Sequence, residues 1–272
     1  SAVTPERISI LYFSPTGGTR RVARMLLSAL RSSRIPLEEI NLTPFEARRK
    51  RRTFGAGDLV FICVPSYYGR VALPMQNLDA LSGEGALAVP VAVYGNREYD
   101  DTLRELSGIL SGRGFVTTAA AAFIAQHSQC PELGEGRPDA NDRARIEAFA
   151  RDVLAKLASV AGDDLDGLAI KLLGDENAPL RPYLPTPAAP VLAHPERCRH
   201  CGECAAHCPQ DIIDPLSFAV TEPEECILCR ACMASCPEGA RDLPEPVRSA
   251  VAQRMAAIRD ANLARKEPSV FL

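Results

Sequence analysis

The apolar positions change their rhythm along the chain. Residues Arg7–Phe13 (Arg-Ile-Ser-Ile-Leu-Tyr-Phe) predict a first strand. Val22, Met25, Leu26 and Leu30 then recur at helical steps, one apolar face every three or four residues. Ile35–Leu42 predicts strand two. Asp58–Val64 predicts strand three, whose near-continuous apolar run suits a parallel strand covered on both faces. Leu73–Leu81 reads as a helix or a turn-rich segment. Ala86–Tyr94 predicts strand four, Asp100–Gly112 a helix closed by glycine, and Phe115–Ile124 strand five. Asn141 is expected to cap a helix reaching about Ala158. Five strands alternating with helices predict an α/β fold with a doubly wound, five-stranded parallel sheet.

The rhythm then breaks. Asp163–Asp166 is acidic, and residues 178–194 hold Pro179, Pro182, Pro185, Pro187 and Pro190. Proline at that density makes a stiff, extended crossing. A cysteine-rich module follows, and the spacer Pro215–Thr221 alternates Leu216, Phe218 and Val220 as a small hairpin would. A last helix, Val247–Ala264, carries Val251, Met255 and Ile258 on one stripe and is expected to pack back onto a domain. The chain thus divides into a domain at 1–162, a Pro-rich linker at 163–190, a cysteine domain at 191–245, and a helix and tail at 246–272.

The module holds eight of the ten cysteines. Cys198, Cys201, Cys204 and Cys208, followed by Pro209, recur 28 residues later as Cys226, Cys229, Cys232 and Cys236, followed by Pro237. Each half is C-x2-C-x2-C-x3-C-P, the run that binds cubane iron–sulfur clusters in bacterial ferredoxins. Three close cysteines wrap one cube, and in two-cluster ferredoxins the fourth ligates the other. Cluster one is therefore expected on Cys198, Cys201, Cys204 and Cys236, and cluster two on Cys226, Cys229, Cys232 and Cys208. Zinc sites built from Cys-x2–4-Cys pairs fit this triplet-plus-one poorly. His200 and His207 are expected as exposed loop residues, and Cys63 and Cys130 have no motif around them.

Composition adds bounds. The net charge is -3, with an apolar fraction of 46%. Neither points to nucleic acid or a membrane surface. No apolar run approaches the ~20 residues of a membrane helix, and no leader precedes the first strand, so a cytoplasmic protein with no membrane span is expected. Clustered cysteines there favour metal over disulfides. Between residues 188 and 245, ten acids face four arginines, leaving the rest of the chain net basic. Charge attraction is therefore expected to dock the module on the first domain. The run Arg48-Arg-Lys-Arg-Arg52 reads as a solvated face.

Between the first strand and helix lies Ser14-Pro15-Thr16-Gly17-Gly18-Thr19. Amides at a helix start and its dipole favour a phosphate there. Gly-Lys-Ser/Thr and G-x-G-x-x-G are both missing. The loop resembles the flavodoxin pattern Thr-x-Thr-Gly-x-Thr, with Ser14 at the first threonine. Strand three ends in Pro65-Ser66-Tyr67-Tyr68-Gly69 and strand four in Tyr94-Gly95-Asn96-Arg97, with Tyr99 beyond. These are types that stack on a flat ring or approach its edge with bare backbone. Tyr67 or Tyr68 would stand where one flavodoxin loop commonly has tryptophan. These residues are the candidate FMN site. His127 is a structural hydrogen-bonding residue or a proton donor beside the ring.

Taken together, the chain resembles the bacterial and archaeal flavodoxin–ferredoxin fusion proteins. Flavodoxin-like motifs cover about 7–160 and the ferredoxin match about 190–243. Tyr94-Gly95-Asn96-Arg97, Phe123–Ser128 and the tail Arg265–Leu272 also look like that family. The resemblance implies a flavodoxin-like domain plus a small C-terminal α+β bacterial ferredoxin domain, FMN, and two [4Fe-4S] clusters. It implies an electron-transfer flavoprotein, coupling one- and two-electron carriers and serving redox partner proteins. The alternative is an FMN-dependent reductase of a small molecule, fed by the clusters.

Overall fold

The computed structural model describes residues 3–161, 163–170, 172, 174–185 and 188–272. Ser1, Ala2 and Gly162 of the expected first domain, and Pro187 of the expected linker, lie outside the described residues.

The expected alternation forms one sheet. Strands β1 (Arg7–Tyr12), β2 (Leu37–Asn41), β3 (Asp58–Tyr67), β4 (Leu87–Tyr94) and β5 (Ala120–Ile124) pair in parallel. Their order, 2-1-3-4-5, is that of the flavodoxin-like doubly wound sheet. Helices α1 (Gly18–Leu30) and α4 (Ala140–Ser159) cover one face; α3 (Thr102–Gly112) covers the other, with the short α2 (Phe45–Arg49) before β3. Leu59–Val64 are all 0% exposed, as a strand buried on both faces requires. Burying each such large side chain contributes about 1.5–3 kcal/mol.

One alternative is resolved and three expectations change in detail. Leu73–Leu81 takes the turn-rich form, with a 3₁₀ turn at Leu73–Met75 and a short strand at Leu81–Ser82, because Pro74, Asn77 and Asp79 favour turns. Phe115–Ile124 splits after Thr117, and both pieces, Val116–Thr117 and Ala120–Ile124, pair in parallel with β4. The cap of α4 is Asp139, not Asn141: its carboxylate accepts from the Asp142 amide at 3.0 Å, and Asp142 returns the bond. Finally, the tail adds a sixth strand, β6 (Ser269–Phe271), antiparallel to β5. Phe271 packs there, and an edge strand gains a partner.

The cysteine module is small and irregular. Two one-turn helices, α5 (Glu203–Ala206) and α6 (Ala231–Ala234), repeat its two halves, and Ile213 bridges to Val220 as the expected hairpin. Helix α7 (Val247–Ala261) turns Val251 and Met255 onto Leu228, Leu243, Cys130 and Leu133. That cluster packs the first domain's 130–133 loop, the cysteine module and the last helix together. Among the described residues no helix is long and apolar enough to cross a membrane.

Candidate functional site

A cavity of about 450 Å³ opens at the carboxyl ends of β1, β3, β4 and β5. Ligands of doubly wound sheets bind there, where the strand order reverses. Ser14, Pro15, Thr16, Gly18 and Thr19 line it from the first loop, Pro65–Gly69 from the second, and Tyr94, Gly95 and Arg97 from the third.

The first loop is built for an anion. Gly17 adopts φ 98° at the N-terminus of α1 and brings no capping side chain of its own. The first-turn amides have no intrahelical acceptor. The Ser14 hydroxyl accepts from the Arg20 amide at 2.9 Å, and the Ser14 amide donates to Thr43 Oγ1 at 2.8 Å, which fixes the turn. Neither Arg20 nor Arg21 is among the walls, so amides and hydroxyls face the anion without a guanidinium.

The second loop is a tight hairpin. Tyr68 and Gly69 sit at φ 55° and 72°, as a type I′ turn needs. A Cβ on Gly69 would lie 2.5 Å from Asp100 Oδ2. Glu105, buried on α3, holds this hairpin: it pairs with Arg70 and accepts the Val71 amide at 2.7 Å. Ser66 and Thr102 share a 2.8 Å hydroxyl bond. The signal for this support was an acid beside Leu103 and Leu106 on an inward helix face.

Three expected flavin contacts do not line the cavity. Gly17 shapes the turn instead. Asn96 is 3% exposed and turns away. Its Nδ2 donates to the Asn262 and Ala264 carbonyls, and its Oδ1 accepts the Lys266 amide, so it clips the tail. Tyr99 packs edge-on against Tyr94 at 5.6 Å. Burial holds the Tyr94 phenol up at about 12.

Other walls come from far along the chain. The stretch expected as a stiff crossing between domains is tied to the first of them. Arg104 donates to the Ala178 carbonyl, the Arg181 amide to Asp101, and the Arg181 guanidinium pairs with Asp100. Tyr183 stacks edge-on with Tyr68 at 5.2 Å. Arg181, Pro182 and Leu184 thereby reach the cavity, as do Ile227 and Leu228 of the module and Met255 and Ile258 of α7. His127 is a further wall. Its Nδ1 accepts the Gln129 and Cys130 amides, both at 3.1 Å, so the proton of the neutral ring sits on Nε2. Burial, then the charges of Arg97 and Arg230, hold it down to about 4.

The cysteines gather around two small cavities. One is lined by Cys198, Cys201, Cys204 and Cys236; the other by Cys208, Cys226, Cys229 and Cys232. These are the two crossed sets. Backbone amides donate to one sulfur of each set: Leu228 to Cys226 at 3.4 Å and Ala240 to Cys236 at 3.2 Å. Burial pushes the Cys204, Cys226, Cys229 and Cys232 thiols up. Bare thiolates there would be costly, and iron offsets that cost. Arg241, 4% exposed, lies between the sets and donates to the Phe218 and Pro190 carbonyls. Each set brings four thiols round one cavity, the donor number a cubane takes, and the first-turn amides of α1 suit an anion.

Residues 190–237 match the family model of the 4Fe-4S dicluster domain. The chain therefore joins a flavodoxin-like α/β domain to a ferredoxin-type module, as flavodoxin–ferredoxin fusions do. No curated protein matches it by sequence. Among solved structures, a flavodoxin from the domain Archaea is 13% identical, with 56% of this chain and 98% of that one covered and a TM-score of 0.42. A flavodoxin of Streptococcus pneumoniae TIGR4 is 16% identical over 55% and 99%, TM-score 0.39. A short-chain flavodoxin associated with a non-canonical PDU bacterial microcompartment is 17% identical over 56% and 99%, TM-score 0.41.

The ferredoxin-type module does not dock by the expected charge attraction. Among the described residues, its contacts with the flavodoxin-like domain are apolar or hydrogen-bonded. Ile227 enters the core beside Tyr67, Leu228 packs with Cys130 and Leu133, and Arg48 donates to backbone. The acids of the module point outward, where water screens them.

Proposed function

We propose that the chain is a cytoplasmic electron-transfer flavoprotein in which FMN and two [4Fe-4S] clusters form one relay between one- and two-electron carriers. Bound FMN would exchange one or two electrons, and each cluster one. The observation that carries this reading is a shared wall. Ile227 and Leu228, between ligands Cys226 and Cys229, line the same cavity as the phosphate loop and Tyr67. Tyr67 and Cys229 flank the same apolar cluster, and burial raises the Tyr67 phenol well above its ordinary value, with Cys229 adding to it.

The chain's own residues divide the work. The amides of α1 and the hydroxyls of Thr16 and Thr19 hold the phosphate. Tyr67, Tyr68 and Tyr94 bracket the ring, and Gly69 and Gly95 let backbone reach its edge. Ile227 and Leu228 exclude water between that ring and the Cys226–Cys232 set. Cluster two is therefore the one beside the flavin, and cluster one faces outward to carrier proteins, since Cys201 is exposed.

The test is anaerobic reconstitution followed by iron and flavin analysis and a redox titration. Gly17→Val strains a position at φ 98° and should weaken FMN retention about tenfold, for a cost of roughly 1.4 kcal/mol. Cluster absorbance should not change. A protein that takes up iron but never flavin sinks the relay.

A reductase is the second reading. One observation favours it: His127, a neutral ring whose proton sits on Nε2, lines the cavity, as does Arg254. Turnover of an added small oxidant that is lost in His127→Ala, with cluster-to-flavin transfer intact, selects it.

A further inference from the structure

The basic run after β2 is solvated only in part. Arg49, Lys50 and Arg51 are exposed, but Arg48 turns inward from α2 and crosses to the ferredoxin-type module. Its Nη1 donates to the Leu42 and Thr43 carbonyls at 3.1 and 2.7 Å. Its Nη2 donates to the Pro209 carbonyl at 2.6 Å and to Gln210 Oε1 at 3.0 Å. The guanidinium carbon lies 5.3 Å from the Phe13 ring centre and 5.7 Å from that of Phe45. All four acceptors are neutral carbonyls. Among the described residues no carboxylate pairs with Arg48, and the charge that acts on it is that of Cys208.

The internal repeat supplies a control. Pro209 and Gln210 follow Cys208 as Pro237 and Glu238 follow Cys236. At the second place the local cation is Arg199, which lies 3.1 Å from the Glu238 carboxylate, and both are largely exposed. A paired, exposed arginine sets up little field; a half-buried, unpaired one sets up more. Arg241 acts on both sets, on Cys204 of the first and on Cys226 and Cys232 of the second, and together with Arg230, which lines the second cavity, it adds to the same difference. The two cluster sites therefore share a sequence pattern but not a charge environment.

We propose that Arg48 is a positioning residue for the Cys208/Cys226/Cys229/Cys232 site that raises the reduction potential of cluster two above that of cluster one. This rests on the relay reading. Adding an electron makes a cluster more negative, so a fixed cation stabilises the reduced state more than the oxidised one. Cluster one then gives up one electron and cluster two gains it; no proton moves and no bond changes. The gradient runs inward, from the face with exposed Cys201 to the side packed against the cavity.

The test uses the full chain, reconstituted anaerobically, with both clusters followed by EPR during a redox titration. Arg48→Gln should lower the potential of one cluster and leave the other and the flavin in place. Arg48→Lys, which keeps the charge but loses the fork, should shift that same cluster less. Arg48→Gln holding its full iron, about eight atoms, with both potentials unchanged or shifted together overturns the proposal. Should Arg48→Gln lose iron, exposed Glu238→Gln decides: it leaves Arg199 unpaired and should raise the lower of the two potentials, and no shift overturns the proposal. An unmodified protein lacking flavin or a second cluster instead counts against the relay reading itself.

Discussion

The two cysteine halves are nearly the same object locally and very different ones in the molecule. His200 and Leu228, two residues after each first cysteine, share φ values of 56° and 54°; Gly202 and Arg230 share 79° and 64°. Each half opens on a 3₁₀ turn starting at proline, Pro195 or Pro223, and continues into a one-turn helix. Yet Cys201 is exposed, while Ile227 and Leu228 are 4% and 1% exposed. The repeat spacing makes two equivalent cages. Docking then gives one of them a partner surface and leaves the other to water. Equivalent ligand geometry need not mean equivalent roles.

The largest effect expected is at the ligands. Cys229→Ala and Cys201→Ala should each cost about half the iron, but only Cys229→Ala should also disturb the bound flavin's spectrum. Equal flavin spectra in the two variants would break the contrast.

Next comes packing. Leu228→Ala removes a side chain in the inter-domain cluster and should cost about 2–5 kcal/mol in a thermal or denaturant melt. His200→Ala, at the matching backbone position, should cost about 0.5 kcal/mol or less. Similar losses would mean that the second half is not the docked one.

A smaller effect sharpens the comparison through pH. Arg230, in the second half only, helps to hold His127 down from 6.5 to about 4, after burial. The unfolded chain takes up that proton first, so stability should fall as pH drops from about 6.5 towards 4. Melting temperature against pH should flatten over that interval in His127→Gln. An unchanged slope removes His127 as the cause.

The smallest effect expected is that of salt. Raising ionic strength from 0.1 to 1 M shortens the screening length from about 10 to about 3 Å. Apolar contacts and the Arg48 carbonyl bonds should keep the module docked, as read by limited proteolysis of the 178–190 segment. Sharp release at high salt would restore charge attraction as the docking force.

Much of the fold was legible because it is written locally. The apolar run Leu59–Val64 could only be a strand covered twice, and the loop after β1 carried its glycine where φ 98° is needed. Asn96 shows the limit. Its place in the loop after β4 is a local fact, but its side chain answers to the Asn262 and Ala264 carbonyls of the tail. Glu105 was hidden in the same way until Arg70 appeared beside it.

By itself, then, the sequence determined the cysteine spacing, the two repeated cysteine runs, the parallel sheet and the glycine turn after β1. Each depends on residues a few places apart, where backbone geometry and ligand reach are set by covalent connection. Only the tertiary structure decided which cysteine set meets the cavity, what lines the cavity from afar, and that Arg48 reaches the Pro209 carbonyl and Gln210 of the far module rather than solvent. Arg48 and Pro209 are 161 residues apart. Contacts at that range are chosen by the summed burial of Ile227, Leu228, Val251 and Met255, which no short stretch of the chain contains.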